Sequence, residues 1–161
     1  MSSDLLPTFF TLVRQGSALF AELLAQLESE RQALESRDLD QLTQTTEAKK
    51  QLLLKIERNV LERNQTLTLL GFTPAREGVE ALTQQLPPQQ AIELQQDWTE
   101  LALNLEQVQT ANQRNEQILS RSKQSIDQLI SLLQGQHKAN VIYDPQGSKG
   151  NYEAQRSLGK A

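Results

Sequence analysis

The chain of 161 residues has no cysteine, one histidine, one methionine, five prolines and seven glycines, and only 4% of it is aromatic. Without cysteine there is neither a disulfide nor a thiolate metal ligand, which fits a reducing compartment. The sole imidazole, His137, lies in a Gly- and Asn-bearing stretch near the end, unsuited to be a pre-organised base or ligand. The sequence contains no G-x-x-x-x-G-K, G-x-G-x-x-G, H-E-x-x-H or G-x-S-x-G pattern, and no Glu-x-x-His pair to hold two metals inside a bundle. These gaps argue against an enzyme, a cofactor, a bound metal and a small-molecule substrate.

Long apolar runs are also missing: none approaches the roughly 20 residues that a membrane span needs. A basic leader is absent, since Asp4 comes first and Pro7 and Arg14 interrupt the apolar residues around Phe9 and Phe10. The expectation is a cytoplasmic chain with no membrane insertion, in which the sequon Asn64-Gln65-Thr66 goes unused. A net charge of -4, from 20 acidic and 16 basic residues, disfavours binding along a phosphate backbone, so nucleic acid is not an expected partner.

What the chain does have is Leu, Gln, Glu and Ala in abundance, the composition of helix nearly everywhere. Phe9, Val13, Gly16, Phe20, Leu23 and Leu27 follow steps of four and three, widened by Leu12, Leu19, Leu24 and Leu34, which predicts a first helix over 5–35. Asp38 followed by Gln41 is a capping-box pattern that starts a second helix over 38–70. Its expected inner stripe is Leu39, Leu42, Thr46, Lys49, Leu53, Ile56, Val60, Arg63, Leu67 and Leu70, closed by Gly71. A loop containing Pro74 and a short helix over 79–86 lead to Pro87-Pro88, where Pro88 suits a first helical turn.

A third long helix is expected over 88–133. Leu94, Trp98, Leu101, Leu105, Val108, Asn112, Asn115, Leu119, Ser122, Ile126, Leu129 and Leu133 keep a heptad register along it, with Trp98 as a core anchor and the two asparagines fixing register. The fold class is therefore all-α: an elongated antiparallel bundle of three long helices with coiled-coil-like packing over 1–135, followed by a flexible tail over 136–161.

Two features exceed what a simple bundle needs. Ile126, Leu129, Ile130, Leu132 and Leu133 spread apolar surface beyond two positions per heptad, either covered by the rest of the chain or available as a groove for a partner's amphipathic helix. Val141, Ile142 and Tyr143 form an apolar triplet in a polar tail. Burying them fully gains about 6 kcal/mol, against about 12 kcal/mol to order eight residues, so the segment cannot fold alone. It docks on the body, binds something else, or is an accidental cluster.

Three stretches together resemble the FlgN family of flagellar export chaperones: Asp38-Leu39-Asp40-Gln41-Leu42 with Lys49-Lys50-x-Leu52-Leu53, the Asn112-x-x-Asn115-x-x-Ile118-Leu119 run, and Val141-Ile142-Tyr143-Asp144-Pro145-Gln146-Gly147. The resemblance implies a cytoplasmic, non-enzymatic helical chaperone that holds the hook-filament junction proteins FlgK and FlgL through their C-terminal helical region before type III export. It assigns client binding to Ile126, Leu129, Ile130 and Leu133. Docking to the export gate protein FlhA, or further client contact, falls to Val141, Ile142 and Tyr143. Where some relatives have Tyr-Gly, this chain has Tyr143-Asp144-Pro145, a stiffer turn. The alternative is a structural or adaptor coiled coil that uses its heptads to homo-oligomerise.

Overall fold

The structure, a computed structural model, describes residues 2–142, with side-chain surroundings for residues 4–135. Among these residues there are four helices and no strands: α1 (Ser2–Ser36), α2 (Leu39–Leu69), α3 (Arg76–Gln85) and α4 (Pro88–Ile142). The chain divides into two compact units, Met1–Ile118 and a second beginning at Leu119. No described helix is long and apolar enough to cross a membrane.

In the first unit α1 and α2 run antiparallel, because partners fall on α1 as they rise on α2: Lys49 with Glu30, then Asn59 with Leu12. The amino-terminal part of α4 runs parallel to α1, since Asp97 meets Arg14, Asn104 meets Ser17 and Asn115 meets Leu27. The α1 stripe read from the sequence is the core: Phe9, Val13, Phe20, Leu23 and Leu27 are all buried, joined by Leu94, Leu101 and Val108 of α4 and Val79 and Leu82 of α3.

On α2 and α4 half of the expected seam is displaced by one position. The column Leu42, Lys49, Ile56, Arg63, Leu70 lies inward as expected, but its neighbour is Thr45, Leu52, Asn59 and Thr66, each buried, while Leu39 is 75% and Leu53 51% exposed. Likewise on α4, Leu94, Leu101, Val108 and Asn115 are buried with Asn104 and Ala111 beside them, whereas Leu105 and Leu119 are exposed. The polar residues win their inner places because each finds a carbonyl. Thr45 and Thr66 donate to Leu42 and Glu62 of their own helix, and Asn59 donates across to Leu12. Trp98 is partly buried against the core, with the Arg63 guanidinium 5.7 Å from its ring centroid, a cation–π contact between α2 and α4.

The turn between α1 and α2 uses one residue for two tasks. The Asp38 amide donates to Ala33 at 3.0 Å, finishing α1, and its carboxylate accepts from the Gln41 amide at 3.1 Å, starting α2. Only this half of the expected capping box forms. The Gln41 side chain donates instead to the carbonyl and hydroxyl of Ser29 on α1, because the Asp38 amide is already engaged. At the far end of α2, Gly71 (φ 91°) allows its own amide to reach Thr68 and that of Phe72 to reach Leu67, a Schellman closure.

Two of the expected helix ends shift outward by several residues. The third long helix does not stop at Leu133 but continues to Ile142, and the short helix starts at Arg76 instead of Val79. The lone Gly135 costs about 1 kcal/mol relative to alanine, too little to end a helix of this length.

Two outcomes follow. Arg37 occupies the left-handed region (φ 56°) where glycine belongs, so Arg37→Gly is expected to raise stability by about 0.5–1 kcal/mol, measured by urea unfolding. A Cβ at Gly16 would lie 2.9 Å from Asn59 Oδ1, 3.0 Å from Leu101 Cδ1 and 3.1 Å from an Arg63 nitrogen. Asn59 is held by Leu12 and cannot retreat, so Gly16→Ala is expected to lower stability by about 1–2 kcal/mol in the same assay, despite the better helix propensity.

Candidate functional site

Ile126, Leu129, Ile130 and Leu133, the residues singled out for client binding, all lie on α4 in the second unit. They are 56%, 59%, 47% and 65% exposed, and Leu119 and Leu132 accompany them at 57% and 65%. An aliphatic side chain left in water forgoes about 1.5–3 kcal/mol of burial free energy. Six of them within 15 residues make a contiguous apolar surface of the kind that marks a binding face.

The local sequence explains why this surface is helical without a covering partner. Between Leu119 and Gln134 the chain carries no glycine or proline, and the positions between the aliphatics are Ser, Gln, Lys, Arg and Asp. At about 100° per residue, Leu119, Ile126, Ile130 and Leu133 fall in one line and Leu129 and Leu132 in a second about 100° away. Ser122 and Ser125 are the polar residues on that side, and Arg121 and Lys123 border it.

The triplet proposed for gate docking is divided. Val141 and Ile142 form the last turn of α4, so two of its three members have helical backbone. Tyr143 lies outside the described residues, as does the remainder of the expected tail over 143–161. The expected flexible stretch over 136–142 is therefore helix, which removes part of the ordering cost ascribed to the segment.

Near the carboxy-terminal limit of the first unit, three helices meet in a polar cluster that the sequence only half disclosed. Asn115 donates through Nδ2 to the Leu27 carbonyl at 2.8 Å and to Glu30 Oε1 at 2.9 Å, and Lys49 Nζ donates to the other Glu30 oxygen at 2.9 Å. Arg114 reaches Glu28 at 3.2 Å, and Glu28 also accepts from Arg31, a hydrogen bond that, with the charges of the two arginines, holds the Glu28 carboxyl below the usual carboxylate range. The register role foreseen for both asparagines belongs to Asn115. Asn112 turns its amide to Glu116 on its own helix at 3.3 Å. Glu30 gave no sequence signal, since a Glu one heptad step after Leu23 reads as solvated until a partner on each neighbouring helix is seen.

Among the described residues no group of three or more His, Asp or Glu side chains is placed to hold a metal ion. A cleft of about 500 Å³ between α3 and α4 is lined by Arg76, Val79, Glu80, Thr83, Gln95 and Trp98 among others; its Thr83 hydroxyl donates to the Val79 carbonyl and its Glu80 carboxylate pairs with Arg76.

A FlgN protein family model matches residues 1–151 of the chain. The chain belongs to the FlgN family. Among solved structures it is similar to a Pseudomonas aeruginosa FlgN, named as a flagella synthesis protein, with 33% identity and a TM-score of 0.64 over 72% of this chain and 89% of that one. No curated protein matches. Membership in FlgN gives the chain a flagellar chaperone role, the coarse form of what the resemblance implied.

For this FlgN chain the polar cluster is structural. Asn115→Ala leaves the Leu27 carbonyl and a buried Glu30 oxygen without their donor, and is expected to cost about 1–3 kcal/mol in denaturant unfolding. The Glu28 contribution works in one direction with pH: its carboxyl is held low when folded, so the stability it adds is full above the unfolded-state value and is lost as pH falls through the folded one.

Proposed function

We propose that the chain is a cytoplasmic export chaperone that holds the C-terminal helical region of FlgK and FlgL on the α4 face of Ile126, Leu129, Ile130 and Leu133. Holding that region prevents premature self-association of the client, and Val141, Ile142 and Tyr143 then present the loaded complex to the export gate protein FlhA. The observation that carries this reading is the exposure of those aliphatic side chains on a continuous helix. A client helix laid along them removes apolar area from water on both partners.

Release requires no nucleotide site on the chaperone. Transfer of the client to the export apparatus shifts the binding equilibrium, and ordering of the client on binding keeps the affinity moderate enough for that transfer. Homo-oligomerisation through the heptads is the weaker reading, because Leu94, Leu101, Val108 and Asn115 of the α4 seam are already buried by α1 and its neighbours within one chain.

Two variants test the assignment. Ile130→Asp puts a charge where about 2 kcal/mol of burial is expected, so affinity for a FlgK C-terminal segment should fall by at least about tenfold while the melting temperature stays nearly constant. Unaltered affinity, measured by titration calorimetry, would relocate the client site. Tyr143→Ala should leave helicity and melting temperature unchanged and impair FlhA binding and motility, and a large loss of melting temperature would return the tyrosine to the core.

A further inference from the structure

We infer that the apolar face of α4 over residues 119–133 is built to take two helices at once, a helical pair presented by one partner with acidic residues along its outer edges. This rests on the client-binding reading above and goes beyond it by stating the number of helices and their charge.

The width of the face decides the number. A single partner helix is seated by two positions per heptad, a narrow seam. Here Leu119, Ile126, Ile130 and Leu133 make one line, and Leu129 and Leu132 make a second about 100° around the helix. Together they span about 160°, the arc of a helix that meets two neighbours instead of one. Ser122 and Ser125 fall within the arc as small residues that let a partner backbone approach. α4 already has this habit in the first unit, where Asn104 and Asn115 reach α1 and Trp98 takes the Arg63 guanidinium of α2. A lone helix on the second unit would leave one line in water.

The borders decide the charge. Lys123 flanks the line of Ile126 and Ile130, Arg121 flanks that of Leu129 and Leu132, and both side chains are exposed. Asp127, the sole acidic residue between Leu119 and Gly135, lies a further step outside Lys123. Basic residues at both edges are complementary to acidic flanking positions on each of the two seated helices.

The test uses the full chain and a FlgK C-terminal helical segment as probe, with affinity and stoichiometry from calorimetry and melting followed by circular dichroism. Ile126→Ser/Ile130→Ser and Leu129→Ser/Leu132→Ser should each weaken binding about tenfold or more, with one probe per chain, and Arg121→Glu/Lys123→Glu should weaken it at low salt and much less at high salt. Glutamine versions of the aliphatic pairs preserve helix propensity if the serine versions lose helix. Loss confined to the Ile126/Ile130 pair would leave the client site standing and overturn the two-helix arrangement. No change in either pair would overturn both. A concentration-dependent dimer in light scattering, abolished by the same substitutions, would show that a second copy covers the face and would also overturn it.

Discussion

Side-chain amides donating to main-chain carbonyls of α1 fix the register of the first unit. Asn59, Asn104 and Asn115 donate to Leu12, Ser17 and Leu27 from two different helices. A helix sliding by one residue would leave the buried Asn59 and Asn115 and the half-buried Asn104 unpaired, at about 1–3 kcal/mol for each buried one. Leucine pairs alone would tolerate many offsets. The polar contacts exclude those alternatives and thereby specify one packing.

That constraint divides the work along α4. Up to Asn115 its inner side chains serve the fold, and the terminal member of that series is tied to both Leu27 and Glu30, with Lys49 completing the cluster. From Leu119 to Leu133 the aliphatic residues are exposed and make no comparable contribution to the core. A chaperone needs this separation, because surface that stabilises its own fold cannot also be released to a client. On the proposed reading, the helical backbone through Ile142 orders the face before a client arrives, so binding there would cost less conformational entropy on the chaperone side.

Much of this was legible in the residues. The α1 stripe from Phe9 to Leu27 was read correctly because its inner positions are apolar or glycine apart from the buried Ser17, and the Asp38 cap and Gly71 stop were read correctly as helix signals, though only half of the capping box forms. The α2 and α4 seams were half right for one shared reason. Two columns compete for the inner place, and the sequence favours Leu53 and Leu105, whereas the fold buries Thr45 and Asn59 and half-buries Asn104; the Asn59 and Asn104 bonds cross to α1 and are invisible until the partner carbonyl is in position, while Asn115 takes the inner place expected of it. The helix over 134–142 was missed because Gln134-Gly135 looks like a stop, although one glycine cannot outweigh the continuing propensity of its neighbours. The aliphatic cluster from Ile126 to Leu133 stood out because it exceeds what one seam requires.

Hydrogen exchange of the full chain, alone and bound to a FlgK C-terminal segment, tests the central claim most directly. Amides over 119–133 should exchange faster than those over 9–115 in the free chain and gain protection on binding, with the first unit little changed. Protection gained only within residues 4–118, with 119–133 exchanging as before, would contradict the account.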